Sequence, residues 1–281
     1  MWLEPTSFFI LQAQLFEDVF NMTIRTKTVD EGARFLADRY LSAKPGQRLA
    51  DSLRPETLEE ALAMQERRTV LLNRDVGGWK CLTPQPDGLI VAPIFRPTIQ
   101  GGSTCLIVLD KQRCRIEPEL AFTVTEDLSP HSPPYNAQQL SGKVEAHLAL
   151  ELILDRNESS EEVSFYEKLA DCLLNQGVFI GPKVDLDKAL LSDKMHFQLN
   201  YGGERKQFDG VHPCSDPFAP FVWLVNYLNG QGTTLPAGAQ VITGSYAGVI
   251  EVPIDTDIEL VYEGLGRIDV RFFQSNDVLQ N

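Results

Sequence analysis

The residues best placed to do chemistry in this sequence are carboxylates. Glu117-Pro118-Glu119 lies within Ile116 to Thr125, a stretch that alternates between two sets of side chains. Alternation is the period of a β-strand, so both glutamates point to one face, two positions apart. Like charges that close repel, and one carboxyl is held partly protonated unless a cation lies between them. Pro118 has no backbone N–H to give to a ladder, which predicts that this strand runs at a sheet edge or is bulged there. Glu151 is the second feature. It interrupts Ala146 to Leu154, an otherwise apolar run of the kind buried on both faces of a sheet. An ionised carboxylate in such surroundings is costly unless it is paired or metal-bound.

Three carboxylates with no neighbouring His or Cys form an all-oxygen donor set. That chemistry suits Mg²⁺ or Mn²⁺, is compatible with Ca²⁺, and disfavours zinc. A structural reading competes with it, in which Glu117 and Glu119 face solvent and Glu151 pairs with an arginine. The histidines offer no rival centre: His131 lies in a proline-rich loop, His196 and His212 stand alone, and His147 shares a strand face with Glu151. Neither a G-x-S-x-G elbow nor a phosphate-binding or dinucleotide-binding glycine motif is present.

The elements that must position these residues follow from periodicity and caps. Thr28-x-x-Glu31 and Thr57-x-x-Glu60 read as capping boxes, each followed by apolar residues at helical spacing, and Gly77-Gly78 closes that region. From Lys80 onward strand patterns prevail, interrupted by two helical stretches. One is predicted to start at Ser159-x-x-Glu162 and stop near Gly177, the other to start at Asp216-Pro217 and stop at Gly230. Residues 240–243, 249–252, 258–262 and 268–273 alternate again. The pattern is α+β, a helical portion over 22–79 feeding a larger β-rich domain over 80–281. Residues 1–21 read as an N-terminal extension. Phe8 to Phe20 is apolar but carries Glu17 and Asp18, too short and too acidic for a membrane span, and no basic region precedes it.

With 281 residues, 43% of them hydrophobic, the chain can bury a substantial core. A formal net charge of −14 gives no positive footprint for nucleic acid, and it leaves an anionic substrate in need of a metal or a local cation. Five cysteines without C-x-x-C spacing fit neither a disulfide framework nor a zinc cluster, so a reducing, cytoplasmic setting is expected.

The order of motifs resembles the fumarylacetoacetate hydrolase superfamily, in particular its 2-keto-4-pentenoate hydratases and 4-oxalocrotonate decarboxylases. Gly78-Trp79-Lys80-Cys81-Leu82-Thr83 is similar to their G-x-K-x-G-L-T segment, and Gln85-Pro86-Asp87-Gly88 to the Q-P-D-[YF]-G that follows. Arg115 to Ala121 resembles R-x-E-x-E-[IL]-A, Ala149-Leu150-Glu151 resembles A-L-E, and Val241 to Ser245 resembles [VI]-[LI]-T-G-S. The resemblance spans Met22 to Phe273. It implies a mixed β-roll with a smaller helical N-terminal portion, Glu117, Glu119 and Glu151 as metal ligands, and a small 2-keto acid substrate turned over through a metal-stabilised enolate. It further implies Lys80 as a source of positive charge or a proton, Asp87 in proton transfer, Thr243, Gly244 and Ser245 on the substrate carboxylate, and a homo-oligomer. The sequence departs from the family in two places. Lys80 and Asp87 stand closer together and lack the expected intervening glycine. After Asp171, Cys172-Leu173-Leu174 places apolar residues where the family has polar substrate contacts.

Overall fold

A computed structural model describes residues 26–85, 88–159 and 162–280. The extension at 1–21 lies outside them. The first described residues are already helical, and α1 continues through residue 42. Thr28 is therefore inside this helix and does not cap it. Next comes α2 (Leu58–Leu72), where Thr57 is the N-cap and its Oγ1 accepts the N–H of Glu60 at 3.2 Å. The first strands follow as β1 (Val76–Cys81), β2 (Val91–Phe95), β3 (Ile99–Gly101), β4 (Thr104–Ile107) and β5 (Cys114–Val124). After these come α3 (Ala137–Ser141), β6 (Val144–Ile153), α4 (Phe165–Ala170), β7 (Asn175–Val184) and α5 (Leu186–Leu190). The chain continues through β8 (Lys194–Tyr201), β9 (Glu204–Val211) and α6 (Ala219–Gly230), and ends with β10 (Gln240–Ile242), β11 (Ile250–Val252), β12 (Asp257–Tyr262) and β13 (Gly266–Gln274).

Two sheets result. The larger runs β2-β1-β10-β5-β6-β7-β3, with β11 also paired to β5, and the smaller runs β4-β13-β12-β8-β9. Alternation along β5 and β6 decides what each face does. Ile116, Leu120 and Phe122, with Leu148, Leu150 and Leu152, face a main core shared with Phe197, Leu260, Phe272 and the buried face of α6. Ala121 and Ala149 face the other way, into a smaller cluster with Ile94, Val178 and Ile242. The glutamates stand on this second face.

Several boundaries differ from the sequence expectation. Gly77 and Gly78 do not end the helical region but lie inside β1. The reason is close approach: a Cβ on Gly78 would sit 2.2 Å from the carbonyl oxygen of Gln240 on neighbouring β10. The capping box expected at Ser159 and Glu162 forms at Ser164 and Glu167 instead. Ser164 Oγ accepts the Glu167 N–H at 3.2 Å, and Glu167 Oε2 accepts the Ser164 N–H at 3.0 Å. Its helix stops at Ala170 rather than near Gly177, because Cys172, Leu173 and Leu174 take positive φ of 58°, 54° and 65°. Gly177 lies in β7. Asp216 stands two residues ahead of the cap expected of it, since the N-cap of α6 is Phe218 and the helix opens at Ala219; its Oδ1 accepts the N–H groups of Phe218 at 2.8 Å and Ala219 at 3.3 Å in the turn that leads in.

The Gly78 contact is with backbone, which cannot rotate away. Gly78→Ala is expected to destabilise the protein by about 3 kcal/mol through forced separation of β1 and β10. Urea unfolding of the two proteins side by side checks this.

Candidate metal centre

In the antiparallel pair β5·β6, Glu117 lies directly opposite Glu151, and Glu119 lies opposite Ala149. Period-two alternation keeps all three carboxylates on one face. One oxygen from each lies within 4.8 Å of the others. Glu151 is 0% exposed and Glu119 2%, while Glu117 is half-buried. The solvent-facing reading of these glutamates is thereby excluded, and the partner of Glu151 is a lysine rather than an arginine.

β5 is not an edge strand. On its side away from β6, β11 pairs with 114–116 and β10 pairs with 121–123, leaving 117–120 without a strand partner. The Thr243–Gly248 loop crosses this gap. Pro118 tolerates the interior because its missing N–H faces the loop, where its carbonyl accepts the Tyr246 N–H at 3.2 Å. The same gap lets the Gly244 N–H turn to a side chain: it donates to Glu119 Oε2 at 2.7 Å.

Lys80 comes from β1, paired through Ile242 of β10. Its neighbours Trp79 and Cys81 pack in the main core, so Lys80 projects to the carboxylate face. Its Nζ donates to Glu151 Oε1 at 2.6 Å and Oε2 at 2.8 Å, and lies 3.4 Å from the Leu173 carbonyl. Burial opposes its charge, but the three glutamates outweigh burial and raise its pKa. Asn175, at the start of β7, donates its Nδ2–H to Glu151 Oε1 at 2.8 Å.

Burial, and then the charge of Glu151, push the Glu117 carboxyl up to about 7, against the pull of Lys80. Glu119 is raised well above the ordinary carboxylate range by burial and by the charges of Glu151 and Glu117. With all three ionised, one ammonium leaves two negative charges uncompensated in a site of low exposure. A divalent cation cancels that remainder, and an all-carboxylate set is the donor chemistry of Mg²⁺, Mn²⁺ or Ca²⁺. The residues fit the ion.

The other expected site residues fall as follows. Thr243 is fully buried and its Oγ1 has no hydrogen-bond partner among the described residues. Ser245 Oγ lies 3.5 Å from the Pro118 carbonyl and 3.4 Å from that of Gly248. Asp87 lies outside the described residues, between Gln85 and Gly88, whose backbones bond to each other. His147 turns away, its Nδ1 3.2 Å from the Gly181 carbonyl. His212 is buried beside the Tyr246 ring, and burial lowers its pKa to about 4, so it stays neutral. Asn175 was not singled out from the sequence. An asparagine following two leucines carries no signal there, since its role depends on a pairing with Glu151, a residue 24 positions away.

No family model matches the sequence. Among solved structures, 4-oxalocrotonate decarboxylase from Pseudomonas putida G7, complexed with magnesium and adipate, superposes with a TM-score of 0.71 at 18% identity, covering 88% of this chain and 98% of that one. The same enzyme complexed with calcium and acetate gives 0.69 at 18%, with the same coverage. This chain has that fold. The α+β β-roll expected from the motifs is thus present. At this level of identity, the likeness speaks for architecture.

The Glu117 shift has a pH consequence. Its pKa in the folded protein, about 7, lies above the ordinary 4.5, so folding favours the protonated form. Stability from this group is complete below the lower value and is lost as pH rises through the higher one. In EDTA the melting temperature should therefore fall between about pH 5 and about pH 8. Glu117→Gln should flatten that fall, and Mg²⁺ should restore stability to the wild type at the upper end.

Proposed function

We propose that this chain is a divalent-metal-dependent enzyme of the fumarylacetoacetate hydrolase superfamily, a lyase acting on a small 2-keto or 2-hydroxydienoic acid. The observation that carries this reading is the buried triad Glu117, Glu119 and Glu151 closed by Lys80, on the face of a shared β-roll. Glu117, Glu119 and Glu151 would hold Mg²⁺ or Mn²⁺. The bound ion supplies Lewis-acid polarisation of the substrate's carboxylate and 2-oxo oxygens.

The chain's own residues divide the remaining work. Lys80 carries the cation nearest the reacting end, and its ammonium can meet the negative charge that develops on the substrate or give up a proton. Ser245, half-buried on the loop beside Glu119, offers a hydroxyl to the substrate carboxylate. Gly244 is already committed to Glu119, and Thr243 underlies the loop with a hydroxyl that has no partner among the described residues. Asp87, between Gln85 and Gly88 in the sequence, takes the part of proton transfer or water orientation. Leu173 and Leu174, both half-buried, stand in the sequence where the resembling enzymes carry polar groups, which favours a substrate whose distal end is apolar.

Among the reactions open to this machinery we place hydration of a 2-hydroxydienoate first. Decarboxylation of a 4-oxalocrotonate is the second reading, supported by the fold shared with an enzyme of that name. Both need an anionic substrate held at one end and a proton delivered along the chain. We further propose a homo-oligomer, for which exposed Leu191, Val70 and Val211 provide apolar contact surface.

Turnover of 2-hydroxypenta-2,4-dienoate and 4-oxalocrotonate, followed by ultraviolet absorbance with Mg²⁺ or Mn²⁺, tests the reading. Loss of one chromophore should depend on metal, stop in EDTA, and drop by about 10³-fold or more in Glu117→Ala. Tight metal binding with neither substrate consumed would exclude both reactions, and absence of metal binding would remove the centre itself.

A further inference from the structure

Between α4 and β7 the chain makes three consecutive left-handed residues, none of them glycine: Cys172, Leu173 and Leu174, with φ of 58°, 54° and 65°. Each left-handed non-glycine residue costs on the order of 1 kcal/mol, and such a run persists only where its surroundings over-determine it. Here they do. Arg156 donates through Nη1 to the Asp171 carbonyl at 3.3 Å and through Nη2 to the Asn175 carbonyl, clamping both ends of the turn. Arg68 Nη1 donates to Cys172 Sγ at 2.9 Å. The Asn175 N–H bonds back to the Cys172 carbonyl, and the Leu154 N–H takes the Leu174 carbonyl at 2.8 Å. The carbonyls of 171, 172, 174 and 175 are thus all met by buried structural groups.

The carbonyl left over is that of Leu173, and it faces Lys80 Nζ at 3.4 Å. The residue that leaves the turn, Asn175, sends its side-chain amide to Glu151 Oε1 at 2.8 Å and toward the Gly177 carbonyl at 3.3 Å. A strained, heavily braced turn therefore delivers two polar groups to one ion pair. An acceptor reaches the ammonium and a donor reaches the carboxylate it serves. A right-handed continuation of α4 would present neither, because each residue's carbonyl would point along the helix axis.

We propose that Leu173, through its carbonyl, and Asn175, through its amide, are positioning residues for the metal centre. They fix the direction of Lys80 and the rotation of the Glu151 carboxylate, so that the oxygen not taken by Asn175 is presented to the ion. The inference rests on the reading of Glu117, Glu119 and Glu151 as metal ligands. It assigns Asn175 the part usually played by groups that orient a ligand from behind, whose loss typically lowers metal affinity 10–100-fold.

The test uses the full-length protein and Mn²⁺ as the probe. Affinity is measured by calorimetry and the bound ion by its electron paramagnetic resonance spectrum, with melting in EDTA as the control. Asn175→Leu keeps the branching at Cγ and removes the donor. It should lower Mn²⁺ affinity about 10–100-fold and alter the spectrum of the bound ion. Leu173→Gly relieves the left-handed strain at that position. It keeps the carbonyl and its bracing, so it is the control variant: its melting in EDTA and its Mn²⁺ affinity should both stay near those of the wild type. Unchanged affinity and spectrum in Asn175→Leu overturn the positioning role while leaving the centre standing. A wild type that binds no Mn²⁺ overturns the centre, and the positioning role with it. Should Asn175→Leu fail to fold, Asn175→Ala, which removes the same donor with a smaller side chain, decides in its place.

Discussion

The structure is organised around the repulsion of three carboxylates that the backbone does not allow to part. Strand register places Glu117 against Glu151 and Glu119 two positions on, with separations set by the pleat of β5 and β6 rather than by side-chain choice. In water such a cluster would be relieved by solvation, but Glu119 and Glu151 have almost no contact with it. The groups around them answer that problem one carboxylate at a time. Glu151 receives an ammonium and an amide, from Lys80 and Asn175. Glu119 receives the Gly244 N–H, available only because the ladder beside β5 is broken between β10 and β11. Glu117 is the most exposed of the three and is driven toward its protonated form near neutral pH. A sheet that met its backbone needs completely would have no N–H to spare for Glu119.

A second charge problem supports the first. Asp171, fully buried, faces Arg39 Nη2 at 3.0 Å and both Arg68 and Arg156 at 3.5 Å. Arg68 and Arg156 also lie over the Tyr40 ring, with centroid distances of 4.7 and 5.0 Å, so part of their charge is met by the π face. Buried ion pairs of this kind add little net stability, but breaking one leaves uncompensated charge and is strongly destabilising. That asymmetry makes them good at fixing a conformation. Asp171 is the residue immediately before the left-handed turn. Arg39 comes from α1 and Arg68 from α2, so the helices hold the segment that leads to Asn175. The helical portion is therefore tied to the chemistry of the sheet through three residues of one loop.

Much of this was legible in the sequence. The alternation of β5, the buried run of β6 broken by Glu151, and the cap at Thr57 were each local patterns, and each formed, while Asp216 opens the turn just ahead of the N-cap of α6. What was not legible depended on tertiary contact. Ser159-x-x-Glu162 and Ser164-x-x-Glu167 are equivalent as strings; the second was chosen because Glu167 also receives Arg48 at 2.6 Å and lies near Arg54. Pro118 signalled an edge, yet the edge is local, a four-residue window in a central strand. The left-handed turn had no signal at all, since leucine is a poor residue for positive φ and tertiary partners such as Arg156, Arg68 and Leu154 hold it there. Gly77-Gly78 read as a stop because glycine serves two purposes, and the one at work in β1 was room for a neighbouring carbonyl.

The same electrostatics bear on the order in which a site of this kind fills. The chain carries a formal net charge of −14, of which the triad with Lys80 places two negative charges at the centre when all three glutamates are ionised. A unit anion held 4 Å from another unit negative charge is opposed by about 4 kcal/mol at an effective dielectric near 20. That repulsion alone lowers occupancy by roughly 10³-fold per neighbouring charge. On the proposed function, a substrate bearing a carboxylate thus meets a closed field whenever the triad is ionised, until a divalent cation has cancelled the remainder and left Lys80 and the Ser245 hydroxyl facing it with favourable sign. Cation first and acid second is the sequence of binding that follows from the charges, and the braced turn at 172–174 keeps Lys80 and Glu151 in register while the site stands ready for both.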